Sequence, residues 1–224
     1  MRLCGVSFSY DGDRPALDGI ELTIMPGERV AVVGSSGAGK TTLAGVVAGI
    51  HEPHTGMVAA PHRTAVINQE AHVFAGTLRD NLTLAAPRVT DDEVHSALEA
   101  TGAAGLARML PQGLETPLGT IGHELTAAQT QQIALARVVL ADPDLAILDE
   151  ATAEAGSTHA GLLDRAADAA LRDRTGLVIA HRLSQAMTCD RILVMDRGRI
   201  IEDGTHAALI GAGGAYARLW ASSF

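Results

Sequence analysis

Residues 34–42 read Gly34, Ser35, Ser36, Gly37, Ala38, Gly39, Lys40, Thr41 and Thr42. They match the pattern G-x-x-x-x-G-K-T in full, between a short apolar run at residues 29–33 and a helical pattern at residues 39–49. The glycines let successive backbone N–H groups surround a phosphate, and the start of a helix adds partial positive charge. Lys40 supplies a full charge, and the hydroxyl group of Thr41 is a candidate Mg²⁺ ligand. This context favours a phosphate-binding loop over the alternative, a glycine-rich turn with a solvent lysine.

A second motif is acidic. An apolar run at residues 145–148 ends in Asp149 and Glu150. An acidic side chain at the end of a buried strand is unfavourable unless it serves a metal, so Asp149 fits Mg²⁺ ligation, directly or through water. Glu150 fits the role of polarising an attacking water molecule. Many strands end in aspartate, so this motif gains its weight only together with the phosphate-binding loop.

The composition is that of a packed, acidic protein. Of the 224 residues, 47% are hydrophobic and only 3% aromatic, so Ala, Val, Leu and Ile must form the core. The formal net charge of −9 argues against a nucleic-acid partner, since phosphate backbones favour a basic surface. Cys4 and Cys189 provide neither a disulfide framework nor a zinc site, and no run approaches the ~18 consecutive apolar residues of a membrane span. We expect a soluble, cytosol-facing piece that reaches a membrane through a partner or through further chain.

Periodicity separates strand-rich parts from a helical part. Apolar or alternating runs predict strands at residues 2–10, 20–24, 29–33, 65–67, 145–148, 176–180, 191–195 and 199–202. The last two runs fit a hairpin. Helical spacing dominates residues 78–140, and further helices are expected between residues 149 and 175 and after residue 206.

With these motifs in this order, the chain resembles an ABC-transporter nucleotide-binding domain of the exporter type over about residues 3–220. The resemblance implies an α/β fold: a P-loop NTPase core with a mixed or parallel sheet, an antiparallel β subdomain and an inserted all-helical subdomain. The ATP-binding core and β subdomain are expected at residues 1–70 and 142–224. The helical subdomain, which carries the family's signature motif, is expected at residues 71–141.

The resemblance also assigns roles that no local motif carries. Tyr10 lies where the family places the ring that stacks on adenine, although without the resemblance a core-packed strand aromatic would be favoured. Gln69 matches the glutamine that contacts Mg²⁺ or water and couples to the transmembrane domain. His181 resembles the switch histidine that bonds the γ-phosphate and positions Glu150. The expected catalytic residues are thus Glu150, His181 and Gln69, and the expected metal ligands are Thr41, Gln69 and Asp149.

The signature motif departs from the family pattern. Members usually read L-S-G-G-Q in a loop that opens a helix and caps the γ-phosphate of ATP bound to the opposite subunit. Here the matching residues, which the resemblance assigns to nucleotide contact, are Leu125, Thr126, Ala127, Ala128 and Gln129. Each added methyl group obstructs close backbone approach to a phosphate. Two acidic residues of the family are also replaced, by Thr120 and by Gly156. The chain therefore keeps the residues that serve its own bound ATP and loses family residues that it would present to the ATP of a partner.

The expected function is ATP binding and hydrolysis that powers export across a membrane by ATP-driven dimer closure, as one half of a heterodimeric transporter. The alternative is an ATP-binding regulatory half with little hydrolysis of its own. ATP and Mg²⁺ are the implied cofactors, and the cytoplasmic face of the cell membrane is the implied location. The implied partners are a transmembrane domain, on the same polypeptide or a separate subunit, and a second nucleotide-binding domain, from a different chain with an intact signature. The exporter-like motifs favour an excised domain over a separate subunit.

Two other classes fit less well. A non-transport ABC ATPase acting on ribosomes or DNA usually carries two such domains or long insertions. A small P-loop kinase would leave Gln69, the signature positions and His181 as coincidences.

Overall fold

The computed structural model describes residues 1–12, 14–68, 71–119, 122–149, 157–180 and 182–222, with residues 157–160 described by their backbone only. The strands are β1 (Arg2–Phe8), β2 (Leu17–Thr23), β3 (Arg29–Val33), β4 (Thr55–Ala59), β5 (Thr64–Ile67), β6 (Gly76–Thr77), β7 (Pro117–Leu118), β8 (Leu145–Asp149), β9 (Thr175–Ile179), β10 (Arg191–Asp196) and β11 (Arg199–Gly204). The helices are α1 (Lys40–Val47), α2 (Leu78–Thr83), α3 (Asp91–Ala100), α4 (Ala104–Met109), α5 (Ala127–Ala141), α6 (Ser157–Ala170), α7 (Leu183–Ala186), α8 (His206–Ala212) and α9 (Ala215–Ala221). A turn of 3-10 helix spans Gly113–Glu115.

The larger sheet of the described chain has six strands in the order β11-β10-β3-β9-β8-β5. Strands β10, β3, β9 and β8 pair in parallel, and β11 pairs antiparallel with β10 as the predicted hairpin. Every residue of β8 and β9 is buried. This burial on both faces explains why these strands read as continuous apolar runs. The predicted α/β fold with a mixed sheet is confirmed.

Helix α1 packs its apolar side chains into the core of this sheet. It contacts β8 and β9, and its Leu43 and Val46 share one hydrophobic cluster with Val30 and Val32 of β3. Fully burying such a side chain contributes about 1.5–3 kcal/mol. The helix is therefore fixed at the end of β3, and its first turn has a defined position relative to the strand ends.

A second, antiparallel sheet has the order β2-β1-β4. Strand β2 alternates between buried and exposed residues from Ile20 onward, and its buried side chains are Leu17, Ile20 and Leu22. This is the predicted antiparallel β subdomain. Strand β4 lacks a sequence prediction because most of its residues are exposed.

The helices between β5 and β8 enclose a separate hydrophobic cluster that includes Leu82, Leu98 and Ile133. Threonine side chains begin three of these helices: Thr77 for α2, Thr90 for α3 and Thr126 for α5. In each case the hydroxyl oxygen accepts from the backbone N–H three residues on, and that residue's side chain accepts from the threonine N–H. The predicted helical subdomain is confirmed, and it also contains the two-residue strands β6 and β7, which pair antiparallel.

Contacts between Cα atoms divide the described chain into two compact units. The first comprises Met1–Val66, Asp144–Glu150 and Asp173–Phe224, and the second comprises Ile67–Pro143 and Ala151–Arg172. Helix α6 is grouped with the second unit. The domain boundaries expected from the sequence stay a prediction. Within the described ranges, no helix combines the length and apolar character needed to cross a bilayer.

Candidate functional site

Two glycines of the loop between β3 and α1 are required by their surroundings. Gly39 has a φ of +100°, and a Cβ atom there would lie 2.5 Å from the carbonyl oxygen of Ala16. Gly34 has a φ of +151°, and its Cβ would collide with the carbonyl oxygen of Met195. A residue with a side chain would be strained at both positions and would also clash. The glycine pattern therefore has a steric basis in this fold.

The ammonium group of Lys40 lies against the same loop. Its side chain is 8% exposed, and the Nζ atom donates to the carbonyl oxygens of Gly34 and Ser35, both at 2.9 Å. Ser36 and Gly37, in the middle of the loop, are exposed to solvent. Lys40 is also the single lysine of the sequence. A buried cation thus lies beside an open loop that begins a helix, an arrangement suited to binding an anion.

Two side chains whose oxygen atoms could bind a metal ion lie beside the loop. The hydroxyl group of Thr41 donates to Oδ1 of Asp149 at 3.4 Å. Asp149 ends the buried strand β8 and is 7% exposed, whereas Thr41 is exposed. Hydroxyl and carboxylate oxygens are the ligands that Mg²⁺ prefers. These two residues of the predicted metal set therefore lie together and fit the ion chemically.

Tyr10 lies just beyond β1 and is 61% exposed. Its hydroxyl oxygen is 3.2 Å from Oγ1 of Thr42, which is buried on α1. Its ring meets the rings of Phe8 and His51 edge-on, at centroid distances of 5.0 and 5.5 Å. An exposed aromatic ring tied to the loop helix is suited to stacking on a planar group. No sequence pattern marks His51, because its role arises only from these contacts.

The remaining predicted residues of this site lie outside the described residues. These are the three expected catalytic residues: Gln69, Glu150 and His181. Thr120 and Gly156, which replace acidic residues of the family pattern, also fall outside. The geometry of the described site therefore concerns binding, and the assignment of the catalytic groups stays a prediction.

The signature positions lie in the second unit, where they open a helix as expected. Thr126 caps α5, its Oγ1 accepting from the N–H of Gln129 at 3.3 Å, and Oε1 of Gln129 accepts from the N–H of Thr126 at 2.9 Å. Thr126 and Ala127 are exposed, and Ala128 is half-buried. Leu125 packs against the helical cluster. The loop is thus ordered by its own capping bonds, with Ala127 at the surface and Ala128 partly covered.

A polar pair in the second unit, the buried Asn81 and the half-buried Arg137, was missed by the sequence analysis. Nη2 of Arg137 donates to Oδ1 of Asn81 at 2.8 Å, and Nε donates to its carbonyl oxygen at 2.6 Å. The Asn81 side chain also bonds both backbone groups of Phe74, each at 2.9 Å, and the Arg137 guanidinium lies 5.6 Å from the Phe74 ring. Burial lowers the pKa of Arg137. The pair joins α5 to α2 across 56 residues, and Asn81 extends the contact to Phe74 in the segment before α2, a relationship that no local sequence pattern indicates.

Comparison with known proteins identifies the class to which these features belong. The family model described as ABC transporter matches residues 17–153. An ATP-dependent lipid A-core flippase of Chromobacterium violaceum is 41% identical over 98% of this chain and 40% of its own length. A multidrug efflux ATP-binding/permease protein of Mycobacterium bovis is 38% identical over 97% of this chain and 19% of its own.

A solved structure gives the same answer for the fold. The structure of a bacterial Atm1-family ABC exporter with ATP bound matches 99% of this chain and 41% of that one, with a TM-score of 0.88 and 31% identity. The chain thus spans about two fifths or less of the length of these relatives.

Proposed function

The chain belongs to the ABC transporter family, and we propose that it binds and hydrolyses ATP to power export across a membrane. The observation that carries the proposal is the ammonium group of the buried residue Lys40, which lies against a loop whose Ser36 and Gly37 are open to solvent. The adjacent oxygens of Thr41 and Asp149 support it, because a nucleoside triphosphate needs both an anion site and a place for its cation.

Each part of the nucleotide has a group of this chain to receive it. The backbone N–H groups of the loop and Lys40 bind the phosphates, and Tyr10 stacks on the adenine. Thr41, Asp149 and Gln69 would hold Mg²⁺, which when bound neutralises charge on the phosphates. Glu150 orients and polarises the attacking water, and His181 bonds the γ-phosphate and positions Glu150.

The signature supports a heterodimer as the working form. In the proposed arrangement, this loop would cap an ATP bound to a second domain, where Ala127 and Ala128 would bring two methyl groups toward the γ-phosphate. The partner, a different chain with an intact signature, would complete the site built on Lys40 and Glu150. Transport would follow from closure and reopening of the two domains.

The membrane-spanning partner is proposed from the relatives. Their names join ATP-binding and permease functions or describe flippases and exporters, and each is longer than this chain. We infer a transmembrane domain as partner, on the same polypeptide or on another subunit. The nucleotide-binding part would then lie at the cytoplasmic face of the membrane, where ATP is available.

The ATPase activity is tested by Glu150→Gln in the presence of a second domain with an intact L-S-G-G-Q, with Glu52→Gln at an exposed position as the matched control. The variant should retain ATP and lower turnover by about 100-fold or more, since a general base contributes that much. The control should keep the wild-type rate. Turnover by Glu150→Gln at the wild-type rate would remove Glu150 from the chemistry.

A regulatory half is the second candidate, because Ala127 and Ala128 weaken what the chain offers a partner. The two candidates separate when this chain is mixed with a domain that has L-S-G-G-Q and a replaced catalytic glutamate. Turnover that appears only in the mixture supports the hydrolysing half. ATP binding without turnover in the mixture supports the regulatory half, and full activity of this chain as a homodimer contradicts both.

A further inference from the structure

The side chain of Tyr10 is held from three directions. Its hydroxyl group is 3.2 Å from Oγ1 of Thr42, and its ring stands at 87° to the ring of Phe8 and at 85° to that of His51. Phe8 and His51 also stack on each other, at 5.0 Å and 21°. Phe8 and His51 are half-buried, whereas Tyr10 remains 61% exposed. The three rings thus form one cluster in which only the outermost ring faces solvent broadly.

Helix α1 makes room for the imidazole ring at this cluster. Gly45 is buried inside the helix, and a Cβ atom there would lie 2.6 Å from Cδ2 and 3.0 Å from Nε2 of His51. The N–H of His51 donates to the carbonyl oxygen of Gly45 at 3.2 Å. Glycine weakens a helix interior, so its presence calls for a local reason. The space that it leaves is filled by His51, which therefore links the loop helix to the ring cluster.

We propose that His51 is a positioning residue that fixes Tyr10 as a stacking platform for a purine base. This inference rests on the proposed function, because it concerns the same nucleotide site. A long exposed side chain loses rotamer freedom when a ligand stacks on it, and that loss weakens binding. Contacts with Phe8, His51 and Thr42 remove this freedom beforehand. The resulting gain in affinity concerns the base alone, and phosphate binding at Lys40 is unchanged.

The test compares two ligands on the full chain: ATP, which carries the base, and inorganic tripolyphosphate, which lacks it. His51→Ala should weaken ATP binding about two- to tenfold, the range that corresponds to one aromatic pair. Tripolyphosphate binding should stay within error of wild type. His51→Phe, which keeps a ring, should restore ATP affinity, and His95→Ala on the exposed face of α3 is the matched control.

A second variant disturbs the position of His51 by a change in helix α1. Gly45→Ala should displace the imidazole ring and reproduce the ATP-specific loss. Gly211→Ala is its control, because a Cβ atom there meets nothing within 4 Å. Thermal unfolding of each variant identifies any general loss of folding.

Two results would overturn the inference: unchanged ATP affinity in His51→Ala, or an equal loss for ATP and tripolyphosphate. If wild type binds neither ligand, the proposed function itself fails, which is a distinguishable outcome.

Discussion

The hydroxyl group of Thr41 donates to Oδ1 of Asp149 at 3.4 Å, across 108 residues of sequence. This contact joins the first turn of α1 to the end of β8. Because both residues have oxygen atoms that suit Mg²⁺, the contact also brings two of the three residues of the proposed cation site together within one unit. Binding of a nucleotide with its Mg²⁺ ion depends on these two residues lying side by side.

The first prediction concerns Asp149→Asn, which removes the charge and keeps the shape. ATP affinity measured with Mg²⁺ should fall about 10- to 100-fold, as is typical when metal-site residues are altered. ATP affinity measured with EDTA should not fall, because no carboxylate then repels the phosphates. Calorimetry under both conditions checks this, with the exposed Asp144→Asn as control. An equal loss with and without Mg²⁺ would contradict a metal role.

The second prediction concerns Lys40→Ala. Nucleotide affinity should fall about 10- to 100-fold, since hydrogen bonds to charged groups contribute about 1.5–3 kcal/mol. Tripolyphosphate affinity should fall with it. Arg14→Ala, which removes an exposed cation of the same unit, should bind as wild type does. Because Lys40 is the single lysine, ATP should also protect it from an amine-reactive label, and wild-type affinity in the alanine variant would refute the anion site.

The third prediction concerns the stability of the helical unit. Asn81 is 1% exposed and bonds Phe74 and Arg137 through its carboxamide. Asn81→Ala would leave several buried groups unpaired, so the free energy of unfolding should fall by about 2–4 kcal/mol. Urea unfolding followed by circular dichroism measures this, with exposed Gln112→Ala as the control. A loss no larger than that of Gln112→Ala would show that the pair is not structural.

The fourth prediction concerns acid stability. Hydrogen bonds from the backbone N–H of Thr77 and of Thr90 lower the pKa of Asp80 and of Glu93, respectively. A lowered folded-state pKa contributes stability above the unfolded-state value, and this is lost as pH falls through the folded-state pKa. Stability should therefore decline below about pH 4. Asp80→Asn/Glu93→Gln should flatten that decline in urea unfolding at stepped pH, and an unchanged slope would contradict it.

The sequence predicted the buried parts of the fold better than the exposed parts. Strands β3, β8 and β9 are buried on both faces, so their apolar runs identified them within one residue. Strand β4 has four exposed residues and is fixed by pairing with β1, so its own sequence carries no strand pattern. Helix α2 is six residues long, too short for a clear period.

In the candidate site too, residues in contiguous motifs were predicted, whereas residues that act through distant contacts were not. The loop and Asp149 were found because their motifs are contiguous in sequence. The contact between Thr41 and Asp149 needed the strand order, since β9 lies between β3 and β8. His51 and the Asn81–Arg137 pair act through distant partners, so no periodicity marks them. Gln69, Glu150 and His181 remain predictions from family resemblance.

The most direct test of the central claim is steady-state MgATP hydrolysis against protein concentration, for this chain and for Ala127→Gly/Ala128→Gly. The account predicts slow turnover by the native chain. The double variant should turn over faster, with a steeper dependence on concentration, because its signature could then cap a second copy's nucleotide. Rapid hydrolysis by the native chain, with a rate rising faster than concentration, would contradict the account, since residues 125–129 would then be competent and a homodimer would suffice.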